Sequence, residues 1–295
     1  MVVVGTSLAV LSSALGALPA AAAGAGPGAS PSLSAHRREA VAYVAAPAGR
    51  PRRYGRRGGA RESTQGDQLV PAAADCAGPA PSGGQQPLML VVGASFTAGV
   101  GASSPVSGWA YRLASDLGWR LVDDGVPGAG YVHVAKDGGG PIGRLLRSSD
   151  LPALRPAMVI IQAGHDDIGE PLGLVSQRVT EDVDMVTDQD PKARLVLVTV
   201  FTHDHRPTRQ AVRTDNAIVS AARKADPGAI IIDPLRAHWR FPRIRGGLHP
   251  TQYGHDWIAT RVASTLLAKG VRDYSPDCLA MALGRPSVPG AYLRS

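Results

Sequence analysis

The chain has 295 residues, 44% of them hydrophobic, which is enough for a substantial core in one or two domains. Aromatic residues make up 5%, so that core has to be built from Val, Ile, Leu and Ala. The net charge is +7, but residues 1–85 hold eight Arg against four acids and so supply +4 of it, leaving +3 for the remainder. A basic stretch of this kind, with no aromatic interleaving and no recognition motif, reads as a solvated segment, and a nucleic-acid partner is not expected.

Residues 1–23, MVVVGTSLAVLSSALGALPAAAA, are apolar and then Ala-rich. This is the pattern of a secretory signal cleaved near Ala23, although no Lys or Arg precedes the apolar run; an uncleaved N-terminal anchor is the alternative. A secreted or cell-envelope-associated protein is therefore expected. Residues 24–85 are rich in Ala, Gly, Pro and Arg. A stretch such as GRPRRYGRRGGARES cannot bury enough apolar surface to offset its ordering entropy, so a disordered linker is expected, with a short helix near HRREAVAYVAA. The two cysteines, Cys76 and Cys278, flank the region that follows. In an exported chain they are expected to form one disulfide that staples the two ends of a domain.

From Leu88 the texture changes. Apolar runs suited to buried parallel strands occur at Leu88–Val92, Arg120–Asp123, Met158–Gln162, Leu195–Phe201 and Ala229–Ile232. Helical patterns lie between and after them, at Gly108–Leu117, Leu172–Thr187, Thr208–Ala225 and Thr251–Ala268. About five strands alternating with helices predict a three-layer α/β/α sandwich over residues 86–272, with 273–295 as a C-terminal tail. In such sheets ligands bind beyond the carboxyl ends of the strands, so the chemistry is expected there.

Ser95 comes directly after the first strand, in VVGASFTAGVG, with Gly93 and Gly99 on either side. A serine hydroxyl needs a base to become a nucleophile. His249 is the best candidate, in GGLHPTQYGHDWIA, where Pro250 fixes an extended backbone and Thr251 is placed to cap the last helix. Acyl transfer also needs donors to the developing oxyanion. The Ser95 amide is one; the loop DDGVPGAGY offers Gly128, and QAGHDD offers Asp166. His165, Asp167 and His203 are read as lining a substrate cleft. The pair His203 and His205 in FTHDHR could ligate a metal, but no further ligand cluster stands at matching spacing, and no metal is expected. His255 is read as structural. Arg243 and Arg245 either receive an anionic substrate group or are simply solvated.

From Leu88 to Lys269 the chain resembles the SGNH, or GDSL-type, hydrolases. VVGASFTAG resembles the block Gly-Asp-Ser-x-x-x-Gly with Ser95 as nucleophile. GVPGAG resembles the second block, with Gly128 at its oxyanion glycine. GHDD resembles Gly-x-Asn-Asp, and GGLHP resembles Asp-x-x-His-Pro with His249 as base. The resemblance implies a flavodoxin-like fold and ester hydrolysis or acyl transfer without a metal or organic cofactor. Three residues depart from the pattern. Ala94 replaces the acid before the nucleophile, a position outside the triad. Asp166 stands where the oxyanion asparagine belongs, and an ionised carboxylate cannot donate a hydrogen bond. Gly246 stands where the triad aspartate belongs, leaving a backbone carbonyl, a water or a distant acid such as Asp256 to orient His249. The expected function is an exported serine esterase acting on a short acyl or acetyl ester of a glycan or lipid through an acyl-enzyme on Ser95. The alternatives are a catalytically weak domain that binds an acylated glycan, or an acyltransferase.

Overall fold

The computed structural model describes residues 86–136, 138–202, 206–276 and 278. The expected signal, linker and short helix, Cys76, His203, His205 and most of the C-terminal tail lie outside the described residues. Strands β1 (Leu88–Gly93), β2 (Arg120–Gly125), β3 (Met158–Gln162), β4 (Arg194–Val198) and β5 (Ile230–Ile232) form a five-stranded sheet in the order β2-β1-β3-β4-β5. Every pairing is parallel. Helices α1 (Trp109–Leu117), α2 (Ile142–Ser148), α3 (Leu151–Leu154), α4 (Leu172–Gln189), α5 (Arg209–Ala225) and α6 (Gln252–Ala268) cover it.

The layers follow from the alternation of side chains along each strand. Leu90, Val92, Val159, Ile161, Leu195 and Leu197 face one side, where residues of α2, α4 and α5 complete the core. Met89, Val91, Ile160, Val196 and Val198 face the other, against α1 and α6. Because β1 and β3 are buried on both faces, they appear in the sequence as unbroken apolar runs. Each such Val, Leu or Ile contributes about 1.5–3 kcal/mol by leaving water. The result is the expected α/β/α sandwich with flavodoxin-like strand order. Among the described residues no helix is long and apolar enough to cross a membrane.

Threonines set the starts of two helices. Thr208 Oγ1 accepts from the Ala211 amide at 3.1 Å and Thr251 Oγ1 from the Gly254 amide at 3.4 Å. Helix α1 ends on Gly118, at φ +66, where a Cβ would strike the backbone of Tyr274. The domain thus runs past residue 272, the boundary set by the sequence pattern. The Tyr274 amide donates to Leu117 O at 2.7 Å, the Trp119 indole donates to Arg272 O at 3.0 Å, and Cys278 is fully buried.

Candidate active site

Ser95 stands at the carboxyl edge of β1, the strand flanked by β2 on one side and β3 on the other, where the strand order reverses. This switch point is where open α/β sheets bind ligands. The turn that carries it is tied down by short bonds. The Ala94 amide donates to Gln162 O at 3.1 Å, Val126 N to Gly93 O at 2.8 Å, and Val100 N to Ser95 O at 3.0 Å. The Gln162 side chain accepts from both the amide and the hydroxyl of Thr97. Gly93 leaves no room for a Cβ between Thr97 and Gln162, and Gly125 none beside Thr97 and Ala98. At Gly125 a neighbouring backbone passes where a side chain would be, whereas at Gly93 the Thr97 hydroxyl and the Gln162 carbonyl fill that place.

His249 reaches this turn from the loop before α6. Its Nε2 lies 2.9 Å from Ser95 Oγ. The loop is closed by an antiparallel bridge between Arg243 and Pro250. The Ile244 amide donates to His249 O at 2.9 Å, Gly247 N to Ile244 O at 2.9 Å, and the Arg243 guanidinium to Gly247 O at 2.8 Å. Burial lowers the His249 pKa below its ordinary 6.5, and His165 lowers it further, while Asp166 opposes the shift. A neutral imidazole at 2.9 Å is the state that accepts the serine proton. Gly246 is exposed, at φ +72, and a Cβ there would meet nothing within 4 Å. Asp256, one candidate for the missing acid, instead accepts from Gln252 on its own helix at 3.1 Å. Among the described residues the bond to Ser95 is the one hydrogen bond made by the His249 ring.

On the opposite side, Gly128 takes φ +83 in the loop after β2. Among the described residues neither its amide nor that of Ser95 donates to another protein group, which leaves both for a ligand oxygen. Asp167, expected in the cleft, is instead fully buried. Its carboxylate accepts from the amides of Tyr131 at 2.9 Å, Val132 at 2.8 Å and His133 at 3.1 Å. Consecutive amides of a turn need an internal acceptor once buried, and this one fastens the Gly128 loop to the end of β3. Gly130 lies so close that a Cβ would press on the Asp167 carboxylate.

Asp166 is half-buried beside the site. Burial raises its pKa from 3.8 and the adjacent Asp167 adds to the rise; His165, His133 and His249 act the other way. His165 is half-buried, with Nδ1 2.8 Å from Phe201 O. His255 is structural, as expected. The Trp109 amide donates to its Nδ1 at 3.2 Å, so its Nε2 carries the proton and donates to Val100 O at 3.1 Å. Among the described residues no group of three or more His, Cys, Asp or Glu is placed to hold a metal ion.

Sequence reasoning missed the aromatic floor. The chain has three phenylalanines, and all of them meet here. Phe96 stacks on Phe201 at 4.3 Å, Phe241 packs edge-on to both at 5.8 Å, and Phe96 lies 5.8 Å from the His249 ring. Their scarcity, and their places beside Ser95, after β4 and before the base loop, was the available signal.

Residues 91–257 match the model of the GDSL-like Lipase/Acylhydrolase family. The chain belongs to this family. It is 24% identical over 185 residues to the GDSL lipase Rv0518 of Mycobacterium tuberculosis (strain ATCC 25618 / H37Rv), covering 59% of this chain and 79% of that one. The fold is similar to that of a family two carbohydrate esterase from Cellvibrio japonicus, with a TM-score of 0.54, 15% identity, and coverage of 64% of this chain and 63% of that chain. It is also similar to a carbohydrate esterase family 2 enzyme with a carbohydrate binding domain from Corynascus thermopiles (Myceliophthora fergusii). There the TM-score is 0.50 and the identity 18%, over 70% of this chain and 68% of that chain.

This GDSL-type chain is an esterase-type enzyme of a lipase and acylhydrolase family. Within that family it keeps the serine, the histidine and the oxyanion glycine at the places the resemblance assigns. The two acids of GHDD are placed differently: Asp167 holds the Gly128 loop from inside, and Asp166 is half-buried beside the site.

Proposed function

We propose that the protein is an exported serine esterase that hydrolyses a carboxylic ester of a glycan or lipid through an acyl-enzyme on Ser95. The observation that carries this reading is the 2.9 Å contact between His249 Nε2 and Ser95 Oγ at the sheet's switch point. Ser95 Oγ attacks the carbonyl carbon as its proton passes to His249 Nε2. The carbonyl oxygen becomes an oxyanion held by the amides of Ser95 and Gly128. The bond to the alcohol oxygen then breaks, and His249 returns the proton to that oxygen. Water repeats the sequence on the acyl-enzyme and releases the acid.

In this reading Asp166 stands at the asparagine's place, where burial raises its pKa from 3.8. Its carboxyl can donate to the oxyanion only in the protonated form. Export rests on the apolar, Ala-rich residues 1–23.

The test is turnover of a short aryl-ester series by the full-length protein beside Ser95→Ala. The variant is expected to be slower by about 10⁴-fold or more. Equal turnover in the two proteins would remove the serine mechanism. Gly246 favours a second reading, a hydrolase-shaped domain that binds an acylated glycan without turning it over, which negligible rates in both proteins would support. Ester products formed from added alcohols would identify an acyltransferase.

A further inference from the structure

We infer that the end of the molecule bearing Ser95 docks on an anionic lipid surface, so that the ester is taken from a bilayer with acidic headgroups; this rests on the esterase reading above. Two independent features of that end carry it.

The first is apolar. Among the described residues the exposed large hydrophobic side chains are Val106, Val134, Ile244 and Tyr253. Val106 lies in the 3-10 turn Pro105–Ser107 behind the nucleophile. Val134 follows the amides that Asp167 holds. Ile244 is in the base loop, and Tyr253 is in the first turn of α6. The three connections that carry them leave the carboxyl ends of β1, β2 and β5. Single apolar residues in water need no explanation. Their confinement to one end of the sheet, the end that carries the nucleophile, does.

The second is charge. Residues 234–250 include Arg236, Arg240, Arg243 and Arg245 and no Asp or Glu. All four arginines are exposed. Among the described residues none of them is paired with a carboxylate; the arginine ion pairs present are Arg112–Asp116 and Arg178–Glu181, each within one helix. Four like charges on one loop repel one another, and an anionic partner relieves that repulsion. Cations beside exposed apolar side chains make up a peripheral membrane face: the apolar tips enter the headgroup boundary while the arginines attract acidic lipid. An acidic polysaccharide would use the arginines and leave Ile244 and Tyr253 unexplained.

The test is co-sedimentation of the full-length protein with phosphatidylcholine vesicles, with and without phosphatidylglycerol. Partition is expected to require phosphatidylglycerol and to weaken as salt rises. Tyr253→Ser should lower it about tenfold and Arg240→Ser about fivefold. Arg223→Ser makes the same charge change in the last turn of α5, at the other end of the sheet, and should leave partition unchanged. Tyr253 is 77% exposed, so its replacement is not expected to disturb folding, which thermal melting of each variant checks. Equal partition of wild type and both rim variants would overturn the inference by assigning binding to another segment. So would indifference to phosphatidylglycerol, or retention on polygalacturonate without sedimentation on vesicles. Soluble aryl-ester turnover of the same samples separates the two readings. Rim-dependent partition without Ser95-dependent turnover keeps the docking face and removes the esterase; serine-dependent turnover with partition blind to the rim does the reverse.

Discussion

The two loops that meet at the Ser95–His249 contact are built in opposite ways. The nucleophile turn is buried, the Gly128 loop beside it is anchored from inside by Asp167, and both are packed so closely that Gly93, Gly125 and Gly130 have no space for a side chain. The base loop is exposed from Pro242 to Gly246, is held mainly by its own backbone, and has open space around Gly246. The difference places the tolerance for change. On the tight side a lost atom leaves a buried polar group unpaired. On the loose side water replaces what is removed. The family residue that is missing from the triad is missing on the loose side.

The largest effect on stability is therefore expected at Asp167. Asp167→Ala strands the amides of Tyr131, Val132 and His133, and buried donors without partners should cost about 3 kcal/mol. The same change frees the Gly128 loop, and a displaced oxyanion donor should lower kcat about 10²-fold. Urea unfolding midpoints and aryl-ester kinetics measure the two. Unchanged stability would mean that the loop has other supports and that the contrast between the two sides is overstated.

Much of this contrast is legible in the sequence, for physical reasons. β1 and β3 are buried on both faces, so their apolar runs are continuous and end at the residues predicted or one beyond. β4 is overrun by three residues because the apolar text continues while the pairing does not: the Val200 amide donates to Asp215 instead of β5. Helices α2 and α3 are too short for a period to emerge, and α3 is flanked by Asp150 and Arg155 in left-handed conformations. Ser95 and His249, 154 residues apart, were found because each carries its own local signature of glycines or a following proline. Asp166 and Asp167 are adjacent carboxylates, and composition does not say which one turns inward. That depends on the Gly130 turn lying against it, which is tertiary information.

Asp166 lies between the tight and loose regions, and its replacement sharpens the comparison through pH. An asparagine donates at every pH, whereas the carboxyl donates only while protonated. Its pKa is raised by burial, so donation persists at low pH and is lost as pH rises through that raised value. The rate of Asp166→Asn relative to wild type should therefore grow with pH, up to about 10²-fold. Both proteins need a neutral His249, whose lowered pKa puts the acid limb below pH 6.5. Removing the carboxylate charge should move that limb lower still, because Asp166 favours the imidazolium. A ratio that stays flat across the pH range would contradict the role assigned to Asp166.

The smallest effect is expected at Gly246, where the family acid is absent. Gly246→Ala and Gly246→Asp both place a Cβ at φ +72, so each should lose about 1 kcal/mol of stability, with Asp the better tolerated of the two. Comparing one with the other cancels the backbone strain and isolates the carboxylate. A negative charge three residues before His249 favours the protonated ring, so the acid limb of Gly246→Asp should lie above that of Gly246→Ala. At an exposed position the interaction is worth about 0.2–1 kcal/mol, so the displacement should stay under about one pH unit and turnover should change little. A much larger gain in kcat for the aspartate variant would mean that His249 lacks orientation in the native site, and that the loose side is a defect in catalysis. Coincident limbs would mean that the open space around Gly246 leads away from the imidazole, and that the tight side alone sets the geometry of attack.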